Sequence, residues 1–142
     1  MRAYKWMTAD KRAFYDGYQF KFGWNEQKGE KNGLVCTAGG FHLTKDPKKA
    51  WIAQGSKYVP FGDIVCACYE VYYRKKDILG EDSDGKIRVS AFKLLTKKPV
   101  SKNNLVSESY CISQNISTNT ITTGSDSCTY KLNVTMTSTT TG

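Results

Sequence analysis

The segment Asp63 to Tyr73, DIVCACYEVYY, constrains the fold more than any other stretch of this chain. In an extended strand its side chains divide between two faces. Ile64, Cys66, Cys68 and Glu70 fall on one face, and Val65, Ala67, Tyr69, Val71 and Tyr73 fall on the other. A strand that is apolar on both faces needs cover on both, which puts it in the middle of a sheet. Cys66 and Cys68 then act as small buried apolar residues. Their one-residue spacing is wrong for a zinc knuckle, and the five cysteines of the chain do not form an even disulfide framework. Cys111 and Cys128 are able to pair across strands in an oxidising setting.

The sequence around this strand supplies further short elements. Ala3 to Met7 reads as a strand, followed by a polar turn at Asp10 and Lys11. Tyr18 to Phe22 alternates apolar and polar residues and is expected to be a half-buried strand. Trp24 to Gly33, rich in Lys, Glu, Asn and Gly, reads as a loop, and Gly39-Gly40 as a turn. Phe41 to Leu43 is a brief strand. Asp46 as N-cap and Pro47 in the first turn then predict a short helix over 47–54, ending at Gly55. Lys86 to Leu95 returns as a strand with Ile87, Val89, Ala91 and Lys93 on one side. It is expected to pair with 63–73 as a long hairpin across the acidic turn Glu81 to Gly85. The predicted class is α+β: a small, mostly antiparallel β domain with one short helix over 47–54.

Composition changes sharply after Lys97-Lys98-Pro99. Of the 44 residues from Pro99 to Gly142, 18 are Ser or Thr. Residues 1–98 hold 19 of the 21 Lys and Arg and 11 of the 13 Asp and Glu, so the whole net charge of +8 lies there. The chain therefore divides into a basic domain, 1–98, and a Ser/Thr-rich β segment, 99–142. Within the latter, Val106 to Ile112, Ile116 to Ile121 and Cys128 to Met136 carry strand patterns. Tyr130, Leu132, Val134 and Met136 form a period-two apolar stripe. Three strands with one apolar face do not hold a core alone, so this stripe is the expected assembly face, docking on residues 1–98 or on another chain.

The basic surface of 1–98 suits nucleic acid, an acidic protein or a phosphorylated small molecule, although solubility alone explains Lys scattered over turns. Aromatic residues interleaved with Lys, as in Tyr4-Lys5-Trp6, suit base stacking, but core packing with Lys turned outward is the simpler reading. No run of about 18 apolar residues exists for a membrane helix, and Met1 to Asp10 lacks the apolar stretch of a signal peptide. A cytoplasmic origin is therefore expected, and the patterns at Asn115 and Asn133 that match glycosylation acceptors are taken as chance.

The sequence contains no complete catalytic set. His42 is the one histidine, and no nucleophile with motif support stands near it, so a structural ring bonded to a loop carbonyl is favoured over a general base. Glu81, Asp82 and Asp84 lack the twelve-residue calcium pattern and read as turn formers. Gly39-Gly40 lacks the later glycine and Lys of a phosphate loop. No metal or cofactor is expected.

Several short motifs in order resemble an uncharacterised domain common in phage and prophage proteins. They are Ala3-Tyr4-Lys5, the stretch Gly17 to Gly23, Gly40-Phe41-His42 with Asp46-Pro47, Lys57-Tyr58, and Asp84-Gly85-Lys86-Ile87. The resemblance covers about residues 3–95 and implies a phage context without an assigned activity. A fainter similarity is to ADP-ribosyltransferase-like domains. There Lys5 stands at the position of an Arg, and His42 with Thr44 fall on the second motif of an NAD grip. Glu70 and Glu108 are the loose counterparts of that family's catalytic Glu, without its neighbours, so a nucleotide-binding cleft at Lys5, His42 and Thr44 is what this similarity implies. The leading expectation is a non-enzymatic phage protein that acts by assembly, as a virion accessory or decoration subunit of head, neck or tail. It would reside in the virion, or in the host cytoplasm during infection, with other virion proteins as partners and without membrane association.

Overall fold

The computed structural model describes residues 1–13, 16–35, 37–46, 51–52, 62–100, 111–112, 116–123 and 130–136. The long strand expected at 63–73 is present as β5 (Gly62–Tyr72), and it organises everything else. One of its edges carries β1 (Arg2–Thr8) in antiparallel register, from Arg2 opposite Tyr72 to Thr8 opposite Cys66. Its other edge is shared. β11 (Tyr130–Met136) pairs with residues 62–66, the Val100 amide donates to the Cys68 carbonyl at 2.7 Å, and β8 (Ala91–Leu94) pairs with Val71 and Tyr72. Cys66, Ala67, Cys68 and Tyr69 are all buried, as a two-sided apolar strand requires.

Beyond β1 lie β3 (Phe41–Thr44), β7 (Lys86–Val89) and β6 (Ile78–Glu81), while β2 (Gly23–Glu26) pairs with β8. β7 and β8 are separated by Ser90 alone, yet one neighbours β3 and the other neighbours β5. The sheet must therefore curl on itself, with β7 and β8 acting as one strand bent at Ser90. Inside the curl, Phe41 and Phe92 meet edge-on at 4.9 Å, with Phe20 at 5.7 and 5.6 Å from them. Ala3, Met7, Leu43, Val71, Ile87, Val89 and Leu94 complete this core.

Four local expectations are corrected. Tyr18 to Phe22 is not a strand. The Asn25 side chain, fully buried, accepts from the Lys21 amide at 3.0 Å and donates to the Lys21 carbonyl at 2.9 Å, so a loop forms that drops Phe20 into the core. Part of the expected 24–33 loop is β2, because Trp24 and Asn25 find ladder partners on β8. The acidic turn joins β6 to β7 rather than 63–73 to 86–95. Its Asp82 Oδ1 accepts from the Asp84 and Lys86 amides, and Gly85 takes a φ of 84° that suits glycine. Finally, Trp51 and Ile52, inside the expected helix 47–54, form the short strand β4 (Trp51–Ile52), parallel to β9 (Cys111–Ile112). An aromatic and a β-branched residue prefer that state. The rest of that helix lies outside the described residues, where the only helical turn is a 3-10 turn at Lys75–Asp77. The class observed is thus a small, mostly antiparallel β fold.

The Ser/Thr-rich segment supplies β10 (Ile116–Thr123), which forms a hairpin with β11. Through β11 the hairpin extends the main sheet of the same chain. The expected strand at 106–112 lies outside the described residues except for β9.

Candidate functional site

The three residues of the expected nucleotide cleft sit on neighbouring strands, but their side chains do not converge. Lys5 points inward, His42 and Thr44 lie on the outer face of β3, and each spends its polar atoms on its own chain. Lys5 alternates with Trp6 and Tyr4 on β1 and points, with Ala3 and Met7, toward the inside of the curl. It is 9% exposed. Its Nζ donates to the His42 carbonyl at 2.8 Å and lies 5.6 Å from the centre of the Phe20 ring. Burial lowers its pKa to about 8, and the Asp16 carboxylate partly opposes that shift. His42 lies on the opposite face of β3 from the core residues Phe41 and Leu43, and its Nε2 is 2.7 Å from the Val35 carbonyl oxygen. This is the loop-carbonyl bond expected of a structural histidine. Burial, reinforced by the Lys5 charge, lowers its pKa to about 4. Thr44, 1% exposed, donates from Oγ1 to the Asp46 carbonyl and accepts from the Asp46 amide. Glu70 stands opposite Tyr4 rather than Lys5 and therefore faces the other side of the sheet, where Arg2 binds it. Glu108 lies outside the described residues.

These two shifts set a pH dependence of stability. Unfolded His42 takes up a proton near pH 6.5, whereas the folded ring resists protonation down to about pH 4. Its contribution is complete above pH 6.5 and is lost as pH falls toward 4, on the order of 3 kcal/mol in all. Since His42 is the only histidine, the part of that window above about pH 5 is its own. Below it, carboxylates such as Asp10, whose pKa is lowered in the fold, add to the loss. Lys5 works in the same sense above about pH 8, but from about pH 9 the Cys66 and Cys68 thiols, which ionise only in the unfolded chain, oppose it. Urea unfolding at stepped pH is expected to show the rise between pH 4 and 6.5, and His42→Gln to flatten its part above about pH 5. Equal slopes for variant and parent between pH 4 and 6.5 would refute the assignment.

Sequence reading missed the side chain that makes the most hydrogen bonds among the described residues. Arg88 is fully buried on β7, opposite His42 on β3 and on the same outer face. Its Nε donates to the Leu34 carbonyl at 2.9 Å, and its Nη2 donates to the Glu30 carbonyl at 2.6 Å and to Asn32 Oδ1 at 2.8 Å. Its Nη1 reaches the Gly39 carbonyl at 3.3 Å. Arg88 and His42 together hold the 28–40 loop over the outer face of β3, β7 and β6. The signal available in sequence was an Arg flanked by Ile87 and Val89 on a strand, facing a loop rich in glycine carbonyls.

Elsewhere the chemistry is sparse. Cys66 and Cys68 are free and buried, and burial raises both thiols, Cys66 to about 12, which leaves them protonated and unreactive. Among the described residues no three of His, Cys, Asp and Glu converge as metal ligands, and no helix is long and apolar enough to cross a membrane. Glu81 and Asp82 pair with Lys45 at 3.8 Å and Lys86 at 3.5 Å, which fits their reading as turn formers. A depression of about 440 Å³ is lined by Glu26, Lys28, Arg74, Asp77 and Ser90 among others. Its Arg74 is held by Asp77 at 2.6 Å and stacks 4.2 Å over the Trp24 ring. The stripe Tyr130, Leu132, Val134 and Met136 lies on β11, whose backbone pairs with β5 and β10. No family model, curated protein or solved structure matches this chain.

Proposed function

We propose that this chain is a non-catalytic bacteriophage protein that acts by assembly, as an accessory or decoration subunit of the virion. The observation that supports this reading most directly is the sheet edge formed by β10. Among the described residues β10 pairs on one side only, with β11, and it ends the nine-stranded sheet. Its sequence, ISTNTITT, is eight residues long and contains no charge and no proline. Natural sheets guard such edges with lysine, proline or cover, because unpaired N–H and C=O groups recruit another strand. The opposite end of the sheet is guarded in that way, since Gly33 bridges to Gly80 on β6. An edge strand without charge or proline, paired on one side only among the described residues, suits strand addition between subunits.

Light scattering coupled to size exclusion tests this. The parent chain is expected to run as an oligomer at tens of micromolar. Thr120→Lys with Thr122→Lys is expected to give monomers, because lysines on an edge strand block pairing and these two positions are in register with the polar Asn133 and Lys131. A parent chain that is monomeric throughout that range defeats the proposal.

A further inference from the structure

Register brings four residues into line across the outer face of the curled sheet. Trp24 on β2 is opposite Lys93 on β8, Lys93 is opposite Tyr72 on β5, and Tyr72 is opposite Arg2 on β1. Directly opposed residues share a face. Their sequence neighbours Asn25, Phe92, Val71 and Ala3 are buried on the core side, so this row faces solvent. Tyr72 is 37% exposed, and Arg2 and Lys93 are exposed. At a strand spacing of roughly 4.8 Å the row is about 14 Å long and alternates aromatic and cationic side chains.

Its surroundings extend the pattern. Trp24 meets Tyr72 edge-on at 6.2 Å, and the Arg74 guanidinium covers one face of the indole, so the two rings hold each other in place. Two residues before Trp24, Phe22 is 56% exposed, with Lys97 Nζ 5.5 Å from its ring centre. The carboxylates nearest the row are occupied: Glu70 by Arg2 and Asp77 by Arg74. Glu26 lies two positions along β2, on the side of the depression. Among the described residues Lys93 has no carboxylate within ion-pair distance, so positive charge is left over beside the exposed rings.

We propose that this face, centred on Tyr72 and Lys93, binds single-stranded nucleic acid. Bases stack on rings presented by a sheet, whatever their sequence, while flanking cations take the phosphates. A duplex keeps its bases stacked inside and cannot use Tyr72 in this way. The proposal is independent of the β10 edge, which lies on another strand.

Fluorescence anisotropy of a labelled twelve-nucleotide oligothymidylate at low salt tests it. Binding by the parent chain is expected on the order of micromolar, weakening steeply as salt rises. Tyr72→Ala is expected to weaken binding about 5- to 150-fold, the range that one lost base–aromatic stack commands. Lys93→Glu is expected to weaken it and to flatten the salt dependence with its thermal midpoint unchanged, whereas Tyr72→Ala also loses the Trp24 contact and is measured well below its lowered midpoint. No binding by the parent overturns the proposal. So does affinity that is equal for the corresponding duplex or for polyglutamate, or binding that Tyr72→Ala leaves intact.

Discussion

Replacing Arg88 by Met is expected to cost about 3–5 kcal/mol of folding free energy, a large share of what a domain of this size holds. Arg88 donates to four acceptors, three of them backbone carbonyls of the 28–40 loop. A methionine reaches only about as far as Nε, leaves the place of the guanidinium empty and donates nothing. Each buried acceptor left without a donor costs roughly 1–3 kcal/mol, offset in part by the loop moving out to water. The guanidinium itself is buried against neutral oxygens among the described residues, so its own desolvation offsets some of the loss. The net effect is read by urea unfolding, and its place by amide exchange. The amides of Gly33 and Gly40, which donate to Leu79 and Lys28, are expected to lose protection first, while those of β5 keep theirs. Arg88→Lys is expected to recover only part of the loss, since one ammonium cannot span acceptors on both sides of the loop. A loss under about 1 kcal/mol for the Met variant would show that the loop is held by something else.

What could be read in advance follows a physical divide between local pattern and register. β5 was legible because its two faces are written into eleven consecutive residues, and β3 because Gly39 and Gly40 end the loop before Phe41 with φ of 90° and 71°. His42 was legible because a lone histidine without a nucleophile has few other uses, and its ring does meet a loop carbonyl. The hairpin partner of 86–95 was not legible. Lys86 to Leu95 looks like one strand, and only the bend at Ser90 sends its halves to β3 and to β5. Tyr18 to Phe22 misled for a similar reason: its alternation is real, but Asn25 takes the backbone groups that a ladder needs. Core packing, the simpler reading of Tyr4-Lys5-Trp6, fits the buried Trp6, but Lys5, expected to turn outward, is buried as well. The aromatic and cationic row at Trp24, Lys93, Tyr72 and Arg2 comes from four separate strands, so nothing in their spacing along the chain announces it.

Gly80→Ala is expected to cost about 3 kcal/mol, at the upper end of what overpacking commonly costs. A Cβ on Gly80 would overlap the Leu34 carbonyl oxygen and sit 2.6 Å from the Gly33 carbonyl carbon. Both are backbone, so no side-chain rotation relieves the contact. Either β6 or the 33–34 segment must move, and the segment is the weaker partner because it is held to β6 by a bridge at Gly33 and one bond to Leu79. Moving it pulls the Leu34 carbonyl away from Arg88 Nε, so the two sites share one structural event. The Gly80→Ala, Arg88→Met double variant should therefore lose clearly less than the two single losses combined. A coupling of about 1–2 kcal/mol is expected, in the range that contacting residues show. A double-mutant cycle by urea unfolding measures it. Strict additivity would mean that β6 rather than the loop gives way at Gly80, and that Arg88 secures the loop without help from the sheet edge beneath it.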